Sequence, residues 1–174
     1  MSDRDLNISA VFSECGRFRQ ILRARWDPAR PVLGWLCLNP SDAGRFDPSL
    51  GYVRGDPSVR KMAGFSDRLG FGGLVLGNVY DFIATYPKDL KSAGYPRSPD
   101  ADKWLAKVVL EASGQVVCGW GRNAAKLSRP GEVLAQLRSL GATPKALLLL
   151  DDGTPGHPLM LPYTCQLISM GSKP

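Results

Sequence analysis

The chain has 174 residues, 44% apolar and 22% charged, with a formal net charge of +6, the size and make-up of one globular domain with a sizeable core. The basic excess suits a polyanion such as nucleic acid and argues against cationic ligands and acidic-protein mimicry. Four cysteines at positions 15, 37, 118 and 165 form no C-x-x-C pair, and one histidine, His157, is too few for a zinc set, so neither metal nor cofactor is expected. Cys37 and Cys118 lie in apolar runs, where a thiol behaves as a small hydrophobe. Met1-Ser2-Asp3-Arg4-Asp5 carries no charged-then-apolar signal and no apolar stretch reaches membrane-spanning length, so a cytoplasmic protein with reduced thiols is expected.

Residues 8–26 mix apolar and basic side chains; Cys15 to Arg19 alternates and predicts an edge strand running into Gln20–Trp26, stopped by Asp27-Pro28. Residues 32–38 are continuously apolar, as in a strand covered on both faces. A polar, turn-rich loop follows from Asn39 to Pro57. Asp56 is a good N-cap and Pro57 suits the first helical turn, so a helix carrying Val59, Met62, Ala63, Phe65, Ser66 and Leu69 is expected up to Gly70. Strand 74–78 comes next, then a long Pro-containing stretch from Phe82 to Pro99. Asp100 opens a second helix, and strand 115–119 leads to a third helix over about 130–140 that ends at Gly141. The run Ala146–Leu150 is the last expected strand. Four strands alternating with helices predict an α/β domain spanning 1–174, its four-stranded, mainly parallel sheet covered by helices on both faces.

In such a sheet, ligands bind outside the carboxyl ends of the strands. Three of these ends carry a polar group. Asn39, before Pro40, is held extended, and its amide can orient a water or a carbonyl, although a turn residue is the plainer role. Asn78 ends its strand with an amide able to read the edge of a planar base, or simply to make a turn. His157 lies between Gly156 and Pro158 after the last apolar run, where it can shuttle a proton or stabilise developing negative charge. Ser41 and Asp42 follow Asn39 closely, Asp42 being a cap, an anchor or a general base. Phe46 and Tyr52 are candidate platforms for a stacked base. Arg54, Arg60, Lys61, Arg122, Asn123, Lys126 and Arg129 follow strand ends and are candidate phosphate ligands.

With these residues laid out, the chain resembles a bacterial and phage family known as domain of unknown function 1643. The resemblance rests on Leu38-Asn39-Pro40-Ser41-Asp42-Ala43, Asp56-Pro57-Ser58-Val59-Arg60, Asn78-Val79-Tyr80, Cys118-Gly119-Trp120-Gly121 and Gly156-His157-Pro158-Leu159. More distantly, the order of strand-end motifs is similar to that of the uracil-DNA glycosylase superfamily. Asn39-Pro40 looks like its water-positioning motif, Asn78 like its base reader, and the loop from Gly156 to Leu161 like its loop of electrophilic His and wedge, with Leu159 where Ser is usual.

The distant resemblance implies a three-layer α/β/α, uracil-DNA-glycosylase-like fold. It also implies hydrolysis of a base–sugar N-glycosidic bond in DNA at a modified or unusual base. Asn39 would hold the water and His157 would stabilise the base anion, with no metal or cofactor. Two other readings remain open: a catalytically silent nucleic-acid or nucleotide-binding module, and an enzyme acting on free modified nucleotides. Any of these suits phage DNA modification or defence against it.

Overall fold

The computed structural model describes residues 5–50 and 52–171. Its main element is a seven-stranded mixed sheet whose spatial order departs from chain order. β3 (Val32–Cys37) lies between β6 (Gly73–Asn78) and β7 (Gln115–Cys118), parallel to both, and β8 (Thr143–Ala146) is parallel to β7. β3, β6 and β7 lie where the sequence predicts strands, β8 shares only Ala146 with the predicted 146–150, and the sheet is larger than four strands. β1 (Ile8–Phe12) and β2 (Arg19–Arg25) form an antiparallel hairpin that pairs with β6, and β9 (Ile168–Ser169) closes the other edge against β8. The edge strand expected over Cys15–Arg19 is instead mostly a turn: Ser13 N–H donates to Phe18 O at 2.9 Å.

Helix α1 (Pro57–Arg68) starts at the expected cap, with Asp56 accepting from Val59 N–H, and ends before Gly70 at φ +88°. Helices α3 (Ala101–Glu111) and α4 (Arg129–Ser139) also occupy the expected segments. A further helix, α2 (Pro87–Ser92), lies in the Pro-containing stretch. At six residues, with Leu90 its one buried side chain, it is too short to leave a helical period in the sequence.

The two faces of the sheet carry separate apolar clusters. Leu33, Trp35, Cys37, Leu74 and Leu76 pack with Val59, Met62, Ala63 and Phe65 of α1. Leu36, Val75, Val116 and Cys118 pack with Leu105, Val108 and Val109 of α3 and Val133 and Leu137 of α4. Chain order explains this split. The crossover from β3 to β6 runs one way across the sheet, whereas those from β6 to β7 and from β7 to β8 run the other way. Crossovers of one hand therefore place α1 on one face and α3 and α4 on the other. Trp35 is fully buried and donates from Nε1 to Ser66 Oγ at 2.9 Å, so the ring has its polar partner.

The last strand is shorter and earlier than the expected 146–150. Pairing with β7 ends at Lys145, and the aliphatic run beyond it folds back. Gly156 N–H donates to Leu148 O, Leu150 N–H donates to Thr154 O, and Leu149 bridges Pro155. The leucines thus build a tight excursion that returns the chain to the sheet's carboxyl edge. No helix among the described residues is long and apolar enough to cross a membrane.

Candidate functional site

The loop after β3 runs to α1 on one face, while the loop after β7 runs to α4 on the other. Between such diverging loops an open sheet leaves a crevice at its carboxyl edge. A cavity of about 250 Å³ lies there, lined by residues that include Cys37, Leu38, Asn39, Ser41, Asp56, Asn78, Trp120, Arg122, Asn123 and His157.

Each side chain is delivered by local chemistry. Asn78 is the last residue of β6, in register with Cys37, and is 5% exposed. Asn39 donates from Nδ2 to Ala84 O at 2.6 Å and to Pro40 O at 3.2 Å, so its nitrogen holds the loop after β6 against the loop after β3. Its Oδ1 has no protein donor among the described residues. Ser41 Oγ donates to Asp56 Oδ2 at 2.5 Å.

The His157 loop packs onto the segment after β7 because Gly119 and Gly121 present no side chain to it. A Cβ on Gly119 would meet Pro158 at 2.9 Å, and one on Gly121, which sits at φ +76°, would meet His157 Cβ at 3.1 Å. His157 Nδ1 accepts from Leu159 N–H at 3.2 Å. A nitrogen that accepts carries no proton, so the neutral ring bears its hydrogen on Nε2. Burial lowers the pKa of His157 below its usual 6.5, and the nearby Asp56 opposes that shift. Cys37 is pushed up to about 12 by burial, so its thiol stays protonated beside Met62 and is no nucleophile.

Arg19, which the sequence reading passed over, also lines this cavity. It is 2% exposed, donates from Nη1 to Ala43 O at 2.8 Å and reaches Asn78 Oδ1 from Nη2 at 3.4 Å. Strict alternation would put it on the face of Ile21, away from the cavity. A bulge intervenes: Val11 pairs with Ile21 but Phe12 with Arg19, leaving one extra residue in β2. Bulges re-aim side chains in this way. Because β2 is antiparallel to β6, its start lies at the same edge as the parallel strands' ends. Burial lowers the Arg19 pKa to about 10, against the pull of Asp56, which still leaves it a cation at neutral pH.

Of the residues expected at the site, the structure brings Asn39, Ser41, Asn78, Arg122, Asn123 and His157 to one cavity. Pro40 is buried behind it, its carbonyl accepting from Ala84 N–H. Asp42, Arg54 and Arg60 line an adjoining groove that shares Ser41, Asp56 and Thr85 with the cavity. There Asp42 is an exposed partner of Arg45 at 3.4 Å, with no place as a base inside the cavity.

The other expected residues lie outside the cavity. Phe46 and Tyr52 sit in the small hairpin of β4 (Phe46–Asp47) and β5 (Tyr52–Val53), outside the cavity, with Phe46 exposed. The aromatic that lines the cavity is Trp120. Lys61 is turned to the Tyr163 ring, its Nζ 4.0 Å from the centroid. Arg129 is buried against Asp102 and Glu132, which neutralise it, and it does not line the cavity.

A family model described as "Protein of unknown function (DUF1643)" matches residues 19–159. The chain belongs to this family. The matched stretch begins at Arg19 and ends two residues after His157, so it contains every residue lining the cavity. Comparison with curated proteins and with solved structures gives no match.

Proposed function

We propose that the cavity takes a nucleobase flipped from a polynucleotide and that the protein hydrolyses its N-glycosidic bond, on a three-layer frame of uracil-DNA-glycosylase type. The observation that carries this reading is the meeting of Asn39, Asn78 and His157 around one cavity, with the hydrogen of neutral His157 on Nε2. Breaking the bond sends its electron pair onto the base and leaves positive charge on the sugar. Nε2–H then donates to the anionic base, the kind of fixed donor that stabilises a transition state. Asn39 Oδ1 accepts from a water, whose oxygen bonds to the sugar carbon and whose released proton ends on the departing base. Asn39 can hold the water in place because its own nitrogen is anchored to Ala84 O.

Two features favour a polymer over a free nucleotide. The groove with Arg54 and Arg60 joins the cavity on one side. A second groove, which shares Leu38, Pro87, Arg122 and Asn123 with the cavity and adds Lys88, Lys91 and Lys126, joins it on the other. A strand lying across the opening meets cations on both sides of the extruded base. Met160, 87% exposed in the 3-10 turn Pro158–Met160 directly after His157, offers an apolar tip to fill the vacated stack.

The test is incubation of the purified protein with DNAs of ordinary and hypermodified bases, followed by mass spectrometry for released base. Free base that disappears in an Asn39→Ala/His157→Ala double variant supports the reading. Binding without release defeats the hydrolytic step and favours a silent binding module.

A further inference from the structure

Of the four buried side-chain atoms without a partner among the described residues, two belong to residues that line the cavity. Arg19 and Asn78 both line the cavity, both are more than nine-tenths buried, and both keep unmet donors: Arg19 Nε–H and the Asn78 Nδ2 hydrogens have no acceptor among the described residues. No carboxylate pairs with Arg19 among those residues either, although buried cations are normally paired. Each unpaired buried donor costs stability comparable to a lost hydrogen bond. Turning the Asn78 amide over does not help, because Nδ2 would then face the Arg19 Nη2 donor now 3.4 Å from Oδ1. Arg19 thus fixes the amide with its acceptor used and its donors unspent.

We infer that Arg19 and Asn78 form a donor-only clamp for two adjacent acceptors on the ligand, a carbonyl oxygen beside a bare ring nitrogen, as O6 and N7 present on a 6-oxopurine. The inference rests on the nucleobase reading and narrows it to a class of base. Guanidinium donors are the commonest partners of that acceptor pair. A base with an exocyclic amine facing the pair sets donor against donor, and a uracil-type edge offers one carbonyl beside an N–H. The positive charge of Arg19 also suits a base that leaves as an anion. The bulge in β2 gains a purpose on this view: it turns a cation into the cavity that strand alternation would have sent to the other face.

The test is calorimetric titration of the intact protein with guanosine, inosine, 7-deazaguanosine, adenosine, cytidine, uridine and inorganic phosphate, alongside thermal melting of Asn78→Asp. Guanosine and inosine are expected to bind roughly tenfold or more tightly than adenosine, the scale of one good bidentate pair. 7-Deazaguanosine, which lacks the N7 acceptor, is expected to fall toward adenosine. Asn78→Asp puts a carboxylate beside Arg19, so it is expected to raise the melting temperature and to weaken guanosine binding. Equal binding of adenosine, a preference for uridine, or phosphate displacing guanosine overturns the clamp and leaves the nucleobase reading standing. If no nucleoside binds, the nucleobase reading falls as well. An unchanged or lowered melting temperature for Asn78→Asp overturns the unpaired-donor argument by itself, without reference to any ligand.

Discussion

Ser41 Oγ donates to Asp56 Oδ2 at 2.5 Å, while Oδ1 of the same carboxylate accepts from Val59 N–H at 2.7 Å. One side chain therefore closes the first turn of α1 and ties that helix to the loop after β3, which carries Asn39. Stability and site geometry share this joint. Its residues were legible separately, Asp56 as a cap and Ser41 as a site residue, but their link spans fifteen positions and leaves no local pattern.

Replacing Asp56 separates the two roles. Asp56→Ala is expected to cost about 1 kcal/mol for the lost cap, with a further loss because the Ser41 hydroxyl is left without its acceptor. Asp56→Asn keeps an oxygen for the Val59 N–H and is expected to retain most of the stability. Denaturant unfolding of the three proteins checks this. Equal stability of Asp56→Ala and the parent would mean that the joint contributes nothing.

Asn39→Ala and His157→Ala are each expected to lower turnover roughly a hundredfold, the scale for losing one fixed donor or water holder. Their effects on stability should differ. Asn39 also bonds Ala84 O at 2.6 Å, so its removal is expected to cost about 1 kcal/mol. Single-turnover base release and denaturant midpoints, measured on the same preparations, separate the two effects. Full activity in either variant would remove that residue from the chemistry.

The histidine also sets an acid limit on stability. Burial depresses the folded-state pKa of His157 below 6.5, with Asp56 partly opposing. The fold therefore prefers the neutral ring, and protonation on Nδ1 also abolishes the bond from Leu159 N–H. The stabilisation is complete above the unfolded value and is lost as pH falls through the depressed folded value. Melting curves from about pH 8 to about pH 5 are expected to fall more steeply for the parent than for His157→Gln. Parallel curves would contradict a buried neutral His157.

Three of the parallel strands, β3, β6 and β7, and three of the helices were readable because their signals are local: apolar runs, caps at Asp56 and Asp100, glycine stops. What escaped is non-local. Whether Leu147–Leu150 extends a strand depends on where β7 stops pairing, which the leucines do not record. Arg129 looks like any basic residue after a strand until Asp102, on another helix, is brought beside it. Arg19 required both the antiparallel placement of β2 and the bulge at its start, and a residue period of two points to the wrong face. Asn39 and Asn78 could be picked out because each stands at the end of a parallel strand, and such ends share one edge, whereas His157 reaches that edge through the fold-back of residues 147–156.

The charged residues divide into two kinds that one experiment distinguishes. Arg122 is exposed where the cavity meets the second groove, whereas Arg129, a few residues on, is buried against Asp102 and Glu132. Arg122→Ala is expected to weaken nucleic-acid binding and to flatten its dependence on log salt by roughly 0.7 to 0.9, the value of one neutralised phosphate. Its melting temperature should not move, because an exposed arginine contributes little to folding. Arg129→Ala is expected to do the reverse, lowering the melting temperature by removing a buried side chain together with its two ion pairs, while leaving the salt slope alone. Fluorescence anisotropy with a labelled oligonucleotide over a range of salt concentrations, together with thermal melts, reads both. A salt slope changed by Arg129→Ala and unchanged by Arg122→Ala would place the nucleic acid on another face and detach it from the cavity.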